Sequence, residues 1–229
     1  MSIKNILLAH SGSSGFPNSL RHAARIAATH EAWLTGVYGS STSYFEQVLG
    51  LTEELLEKLG HVRREKIAAS RELFMEVTAA AGLGDRARFL MPDEIGKLSI
   101  TQVARNFDFI VTGYQPKLPS DEFRAVSPDL MALESGRPVL VVPDEYEADK
   151  PAAHALVAWD GKRSAARALN DAMYILEEKP RKVSIVTVGG GLPDMPEGND
   201  ILTHLERHGV HAKHIERARS GKSIASTIQ

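Results

Sequence analysis

The chain has 229 residues, 43% of them hydrophobic and 24% charged, with a formal net charge of -2. That length allows one large or two modest domains, the composition is that of a globular protein, and the near-neutral charge gives no global pull toward nucleic acid or anionic membrane. The absence of cysteine excludes disulfides, thiolate metal sites and a cysteine nucleophile, and fits a reducing compartment. No signal-like apolar run opens the sequence and no stretch is long enough to span a bilayer, so a cytoplasmic location is expected.

Short apolar runs alternate with longer amphipathic ones, the pattern of βαβ units. Ile6-Leu7-Leu8-Ala9 reads as a buried parallel strand, followed by the turn Ser11-Gly12-Ser13-Ser14-Gly15. A helix is predicted from about Pro17 to Thr29, with Leu20, Ala23, Ala24, Ala27 and Ala28 at helical spacing. Trp33 to Tyr38 is the second strand, and a long helix runs from about Thr52 to Ala81 until Gly82 or Gly84 stops it. Ala87 to Leu90 is strand three, Ile95 to Arg105 one short helix, and Phe109-Ile110-Val111 strand four. Asp129 to Ser135 lies in the next helix, and Pro138 to Val142 is strand five. Five strands with crossovers between them favour a parallel sheet with right-handed connections.

After the acidic, proline-bounded linker Pro143 to Pro151 the pattern restarts. Setting Gly161 on Gly12 pairs Leu169 with Leu20, Ala172 with Ala23, Ile175 with Ile26 and Val186 with Val37 without a gap. Further on, Gly221-Lys222 falls on Gly96-Lys97, and His211 to Glu216 on Arg86 to Met91, so the second copy is about 24 residues shorter before its third strand. The chain therefore reads as a complete unit at 1–146 and a partial unit at 152–229. Gln229 falls on Ala104, so the partial unit is expected to lack strands four and five.

Three segments carry a family resemblance: Ala158-Trp159-Asp160-Gly161 with Ala165-Ala166-Arg167-Ala168; Asp108-Phe109-Ile110-Val111-Thr112-Gly113; and Ser135-Gly136-Arg137-Pro138-Val139-Leu140-Val141-Val142-Pro143. In this order within a repeated frame they resemble the universal stress protein (UspA) family in its tandem form. The resemblance implies a doubly wound, five-stranded parallel α/β sheet in the order 3-2-1-4-5, of the adenine nucleotide alpha hydrolase-like type. It also implies a crevice where the strand order reverses. Some members bind ATP there, with an Asp after strand one, an apolar residue ending strand two, and a Gly-x2-Gly-x9-Gly-Ser/Thr loop after strand four whose backbone N–H groups hold phosphate.

The first copy departs from that pattern. Ser11 stands at the Asp position, Gly39 at the apolar one, Pro116 at the second glycine and Val126 at the third, leaving Gly113 and Ser127 in register. Proline offers no N–H, and Ser127 before Pro128 is also a plain N-cap candidate. The second copy keeps Asp160 and Val188 at the matching positions, without a phosphate loop. ATP is thus the ligand the resemblance allows, and no cofactor is required.

Other candidates read more simply as structure. His204 and His208 sit four apart on a predicted helix, a spacing that can hold a metal, but no carboxylate completes a motif. His211 and His214, three apart on a strand, are expected to face opposite sides. Ser11-Gly12-Ser13-Ser14-Gly15 matches neither Gly-x-Gly-x-x-Gly, nor the Walker pattern, nor a nucleophile elbow. The run Arg63-Arg64-Glu65-Lys66, with Glu72 and Glu76, is the solvated face of the long helix, and Tyr44, Phe45 and Leu49 form a small apolar cluster before it. No nucleophile, base and metal set assembles. The resemblance therefore implies a non-enzymatic stress-response or signalling module acting through protein association. The alternative is an ATP-binding protein or slow ATPase with its site in a completed second copy. A homodimer is expected through the strand at 139–142, with the edge of the partial unit as the next candidate.

Overall fold

The computed structural model describes residues 3–12, 15–39, 52–114, 126–146, 153–177, 181–219, 221 and 223–228. Pro116, Lys222 and the cluster Tyr44, Phe45 and Leu49 lie outside them, as do Ser13 and Ser14 of the first turn. The chain divides into two compact units, Ser2–Asp149 and Lys150–Gln229. Among the described residues, no helix is long and apolar enough to cross a membrane.

In the first unit, β1 (Asn5–His10), β2 (Trp33–Tyr38), β3 (Ala87–Leu90), β4 (Phe109–Gly113) and β5 (Val139–Val142) form one parallel sheet in the order β3-β2-β1-β4-β5. The central strands β1 and β4 are apolar along their length because both of their faces are covered. Helix α1 (Phe16–Thr29) starts with Pro17 in its first turn and buries Leu20 together with Ala23, Ala24 and Ala27, whose small side chains let it lie close to the sheet. Helix α2 (Glu53–Ala80) buries Ile67, Ser70, Phe74 and Thr78, one stripe at helical spacing, and leaves Glu72 and Glu76 in solvent. It ends before Gly82, which takes φ +69°.

The single helix expected from Ile95 to Arg105 is two pieces, α3 (Pro92–Ile95) and α4 (Ile100–Ala104). Gly96 adopts φ 63° and ψ -121°, which no helix continues through. Ser99 then restarts the chain as a new N-cap, its hydroxyl accepting from the Gln102 N–H while the Gln102 side chain accepts from the Ser99 N–H. With α5 (Pro128–Ser135), α4 covers the second face of the sheet. Ile100, Ala104, Phe107, Val126 and Met131 pack there on Leu7, Ala9, Val37 and Ile110.

In the second unit, β6 (His154–Ala158), β7 (Lys182–Val188) and β8 (Ala212–Arg217) form a parallel sheet in the order β6-β7-β8. Its registers match those of the first unit: Asn5 pairs with Trp33 and the aligned His154 with Lys182, Leu34 pairs with Ala87 and the aligned Val183 with Ala212. Helices α6 (Arg163–Leu176) and α7 (Ile201–Arg207) cover one face, where Leu169, Met173, Leu176 and Leu205 meet Val183 and Ile185. Fully burying such a side chain contributes about 1.5–3 kcal/mol. A last turn, α8 (Ile224–Ile228), touches β7.

Candidate functional site

In a doubly wound sheet the strand order reverses between β1 and β4, and loops leaving the strand C-termini diverge there to open a crevice. In the first unit the residues that end β1 and β2 pack on one another beside the turn at Gly12. Tyr38, the last residue of β2, is 8% exposed and lies over the turn at Gly12, where a Cβ would stand 2.9 Å from the phenol oxygen. Gly12 itself takes φ +80°, which its lack of a Cβ permits. His10 is fully buried and stacked on Phe16 with ring centroids 3.6 Å apart, and its Nδ1 accepts from the Gly12 N–H at 3.3 Å.

Gly113 ends β4, buried and paired with Val142. Val126 is a core residue, fully buried against the Leu7 and Met131 cluster, rather than part of an open loop. Ser127 is the N-cap of α5 by position, yet no cap hydrogen bond from its side chain is formed; its carbonyl accepts the Met131 N–H at 2.8 Å.

The second unit is open at the equivalent place. β6 ends at Ala158, and the Trp159 N–H donates to the Val186 carbonyl at 2.8 Å. The next residue, Asp160, accepts the Lys162 N–H on Oδ1 at 2.9 Å, which forms the βα turn with Gly161 at φ +70°. Its Oδ2 stands 3.9 Å from the Lys162 ammonium, and the carboxylate is half exposed. β7 ends at Val188, after which the Gly189 N–H donates to the Arg217 carbonyl at 2.8 Å. Asp160 and Val188 line one cleft of about 520 Å³, together with Trp159, Lys162, the run Gly189 to Gly191, and Ile224 and Ile228 of α8. A Cβ on Gly190 would meet nothing within 4 Å, so backbone lies open there. Trp159 and Pro193 also wall a second cleft of about 450 Å³, lined by Leu169, Asn170, Met195 and His204.

The arrangement offers a carboxylate oxygen, an indole, exposed glycine backbone and an apolar flank. Those groups can hold a flat, hydroxyl-bearing molecule. Among the described residues no group of three or more His, Cys, Asp or Glu could hold a metal ion. His204 and His208 lie with ring centroids 5.0 Å apart, His208 caps α7 and its Nδ1 pairs with Glu177 Oε1 at 3.1 Å. His211 falls one residue before β8, while His214 lies on it with Nε2 2.9 Å from Thr187 Oγ1.

Sequence reasoning missed the glycine run and the two isoleucines of α8. The glycine run was visible as three consecutive glycines after a strand; the isoleucines gave no signal, because only the folded chain brings them beside Val188.

No protein-family model matches the sequence, and no curated protein matches it. Among solved structures, the chain is similar to a universal stress protein from Archaeoglobus fulgidus DSM 4304, with TM-score 0.66 at 16% identity over 94% of this chain and 77% of that one. It also matches universal stress protein UspA from Lactobacillus plantarum, with TM-score 0.43 at 19% identity over 62% of this chain and 99% of that one. At such identities the likeness to the first is one of fold: a parallel α/β sheet in the order 3-2-1-4-5.

Proposed function

We propose that this chain is a non-enzymatic stress-response or signalling module of the universal stress protein type, cytoplasmic, acting through protein association. One observation carries this reading. In the first unit Tyr38 closes over the turn at Gly12 and His10 and Val126 are buried in the core, while among the described residues the strand at the sheet edge, β5, has a neighbour on one side only. A closed turn and an open edge favour recognition of another chain over turnover of a small molecule. The test is titration calorimetry with ATP beside sedimentation equilibrium. Weak or absent ATP binding at the first unit, with a dimer at micromolar concentration, agrees with the reading. Micromolar ATP affinity that falls on Ser127→Ala would overturn it.

A second reading is an adenine-nucleotide-binding protein whose site is the second unit. The cleft lined by Asp160 and Val188 supports it: a ribose hydroxyl would donate to the half-exposed Asp160 carboxylate, and the base would lie beside Val188. Equilibrium binding of labelled ATP to wild type and to Asp160→Ala separates the two.

A further inference from the structure

The long helix α2 is anchored in the core only by its C-terminal half. Its buried residues begin at Ile67, and none from Glu53 to Lys66 is buried. At 1.5 Å per residue that overhang is roughly 20 Å long. A helical stretch of this length is marginal in water by itself and takes its stability from what its apolar face packs on. The aligned helix of the second unit, α7, has 7 residues against 28 in α2, so the overhang is not something the repeated fold needs. It nevertheless carries an apolar row. Leu55, Leu59 and Val62 are 42%, 40% and 47% exposed, and their spacing of four and then three residues stacks them on one face. The row lies about a quarter turn from the side that buries Ile67, Ser70 and Phe74, so it looks sideways rather than onto the sheet. Single apolar side chains on a surface are ordinary, whereas a contiguous row marks an interaction face.

We propose that this face of α2 is a self-association surface, on which the α2 helices of two copies of the chain pair antiparallel about a two-fold axis near Gly60 and His61. Charge selects both the occupant and its direction. Glu53, Glu54 and Glu57 stand in the first turns of the overhang, and Arg63, Arg64 and Lys66 stand at its far end. A parallel copy would set acid beside acid and base beside base. An antiparallel copy brings each acidic end to the basic end of the other, and the contact is self-complementary as a two-fold axis requires.

The register follows from the row. With Leu59 set against Val62 of the partner subunit, Leu55 falls against Lys66 of the partner subunit. The lysine stem covers the leucine, while its ammonium stands level with Glu54. On the flank of the row, Lys58 comes to Glu65 of the partner subunit, an arrangement the two-fold axis repeats. Within one chain these two groups hold only exposed, exchangeable contacts, Lys58 Nζ to Glu54 Oε1 at 2.6 Å and His61 Nδ1 to Glu65 Oε2 at 3.5 Å. The surface is separate from the β5 edge and does not depend on it.

The test uses the full chain carrying Val141→Pro, so that association through β5 does not enter. Sedimentation equilibrium at rising micromolar concentration should show a monomer–dimer equilibrium. Leu59→Lys, a change at an exposed position, should weaken it at least tenfold with the circular dichroism spectrum unchanged. Lys58→Glu and Glu65→Lys should each weaken it several-fold, and the two together should restore it, which a merely structural role would not do. Because the chain has no cysteine, disulfide capture reads the register in the otherwise wild-type protein. An equal mixture of Leu55→Cys and Lys66→Cys chains should give the mixed disulfide on mild oxidation. Neither variant alone should cross-link, since the antiparallel pair holds two copies of either position roughly 16 Å apart along the axis, beyond the reach of a disulfide. A strict monomer, which would leave the row to some other occupant, would overturn the proposal. So would a dimer indifferent to Leu59→Lys, or a disulfide formed by Leu55→Cys alone.

Discussion

His10 closes β1 with its ring enclosed by Phe16, Tyr38 and Phe89, and among the described residues no polar atom meets its Nε2. Burial holds its pKa down to about 3, because the charged ring would lose its hydration with no partner to replace it. In the unfolded chain the same ring titrates near 6.5. Above that pH both states are neutral and nothing is lost. Between about 6.5 and 3 the unfolded chain takes up a proton that the folded chain refuses, so stability falls by about 1.4 kcal/mol per pH unit. His22, half-buried and held to about 4 by burial and then by the Arg25 charge, acts in the same direction over a narrower window. Urea midpoints should therefore drop steeply below pH 6.5, and His10→Phe should flatten that slope by one proton; an unchanged slope would mean that His10 charges within the fold. A second residue-scale prediction concerns Asp160. If labelled ATP binds the second unit, Asp160→Ala should weaken it by about 1.5–3 kcal/mol, the usual worth of a charge-assisted hydrogen bond. Equal affinity in the two proteins would restrict Asp160 to its turn with Lys162.

The packing of α2 on the sheet depends on a missing side chain. A Cβ on Gly36 of β2 would lie 2.8 Å from ring atoms of both Phe74 and Phe89, which meet edge to face at 5.5 Å between centroids. Neither ring can retreat, since Phe74 is fully buried and Phe89 nearly so. Gly36→Ala should cost about 1–3 kcal/mol through overpacking, read as a lower urea midpoint with unchanged slope. Gly60, on α2 itself, gives the opposite expectation. A Cβ there meets only the Arg64 guanidinium at 3.5 Å, so Gly60→Ala should stabilise by up to about 1 kcal/mol through helix propensity. A destabilised Gly60→Ala protein would show that α2 is held at that point by something other than its own backbone.

Association belongs to the whole molecule. β5 ends the first sheet, and its hydrogen bonds are directional: the Ile110 N–H donates to the Pro138 carbonyl at 3.0 Å and the Tyr114 N–H to the Val142 carbonyl at 2.8 Å. Pro138, Leu140 and Val142 thus turn their main chain to β4, and Val139 and Val141 turn theirs outward. A homodimer through β5 should dissociate on Val141→Pro, which removes an outward N–H and leaves the β4 ladder whole. Leu140→Lys should weaken the same dimer by placing charge beside the edge. Sedimentation equilibrium at micromolar concentration reads both variants. A monomeric wild type, or a dimer indifferent to the two substitutions, would rule out this interface.

The sequence by itself determined the elements, since apolar period and glycine or proline punctuation act over a few residues. Ile6 to Ala9, Trp33 to Tyr38 and Ala87 to Leu90 lie where their β-branched and apolar runs put them, with the same registers at the aligned positions of β6, β7 and β8. It also brought Asp160 and Val188 to one cleft, because residues that end neighbouring parallel strands must lie side by side. Tertiary structure decided what local pattern does not carry. Tyr38 seals the turn at Gly12, Val126 enters the core, and Ile224 and Ile228 flank the open cleft. Each of these depends on residues far apart in the chain meeting in a close-packed interior, where the space left by one side chain sets the place of another.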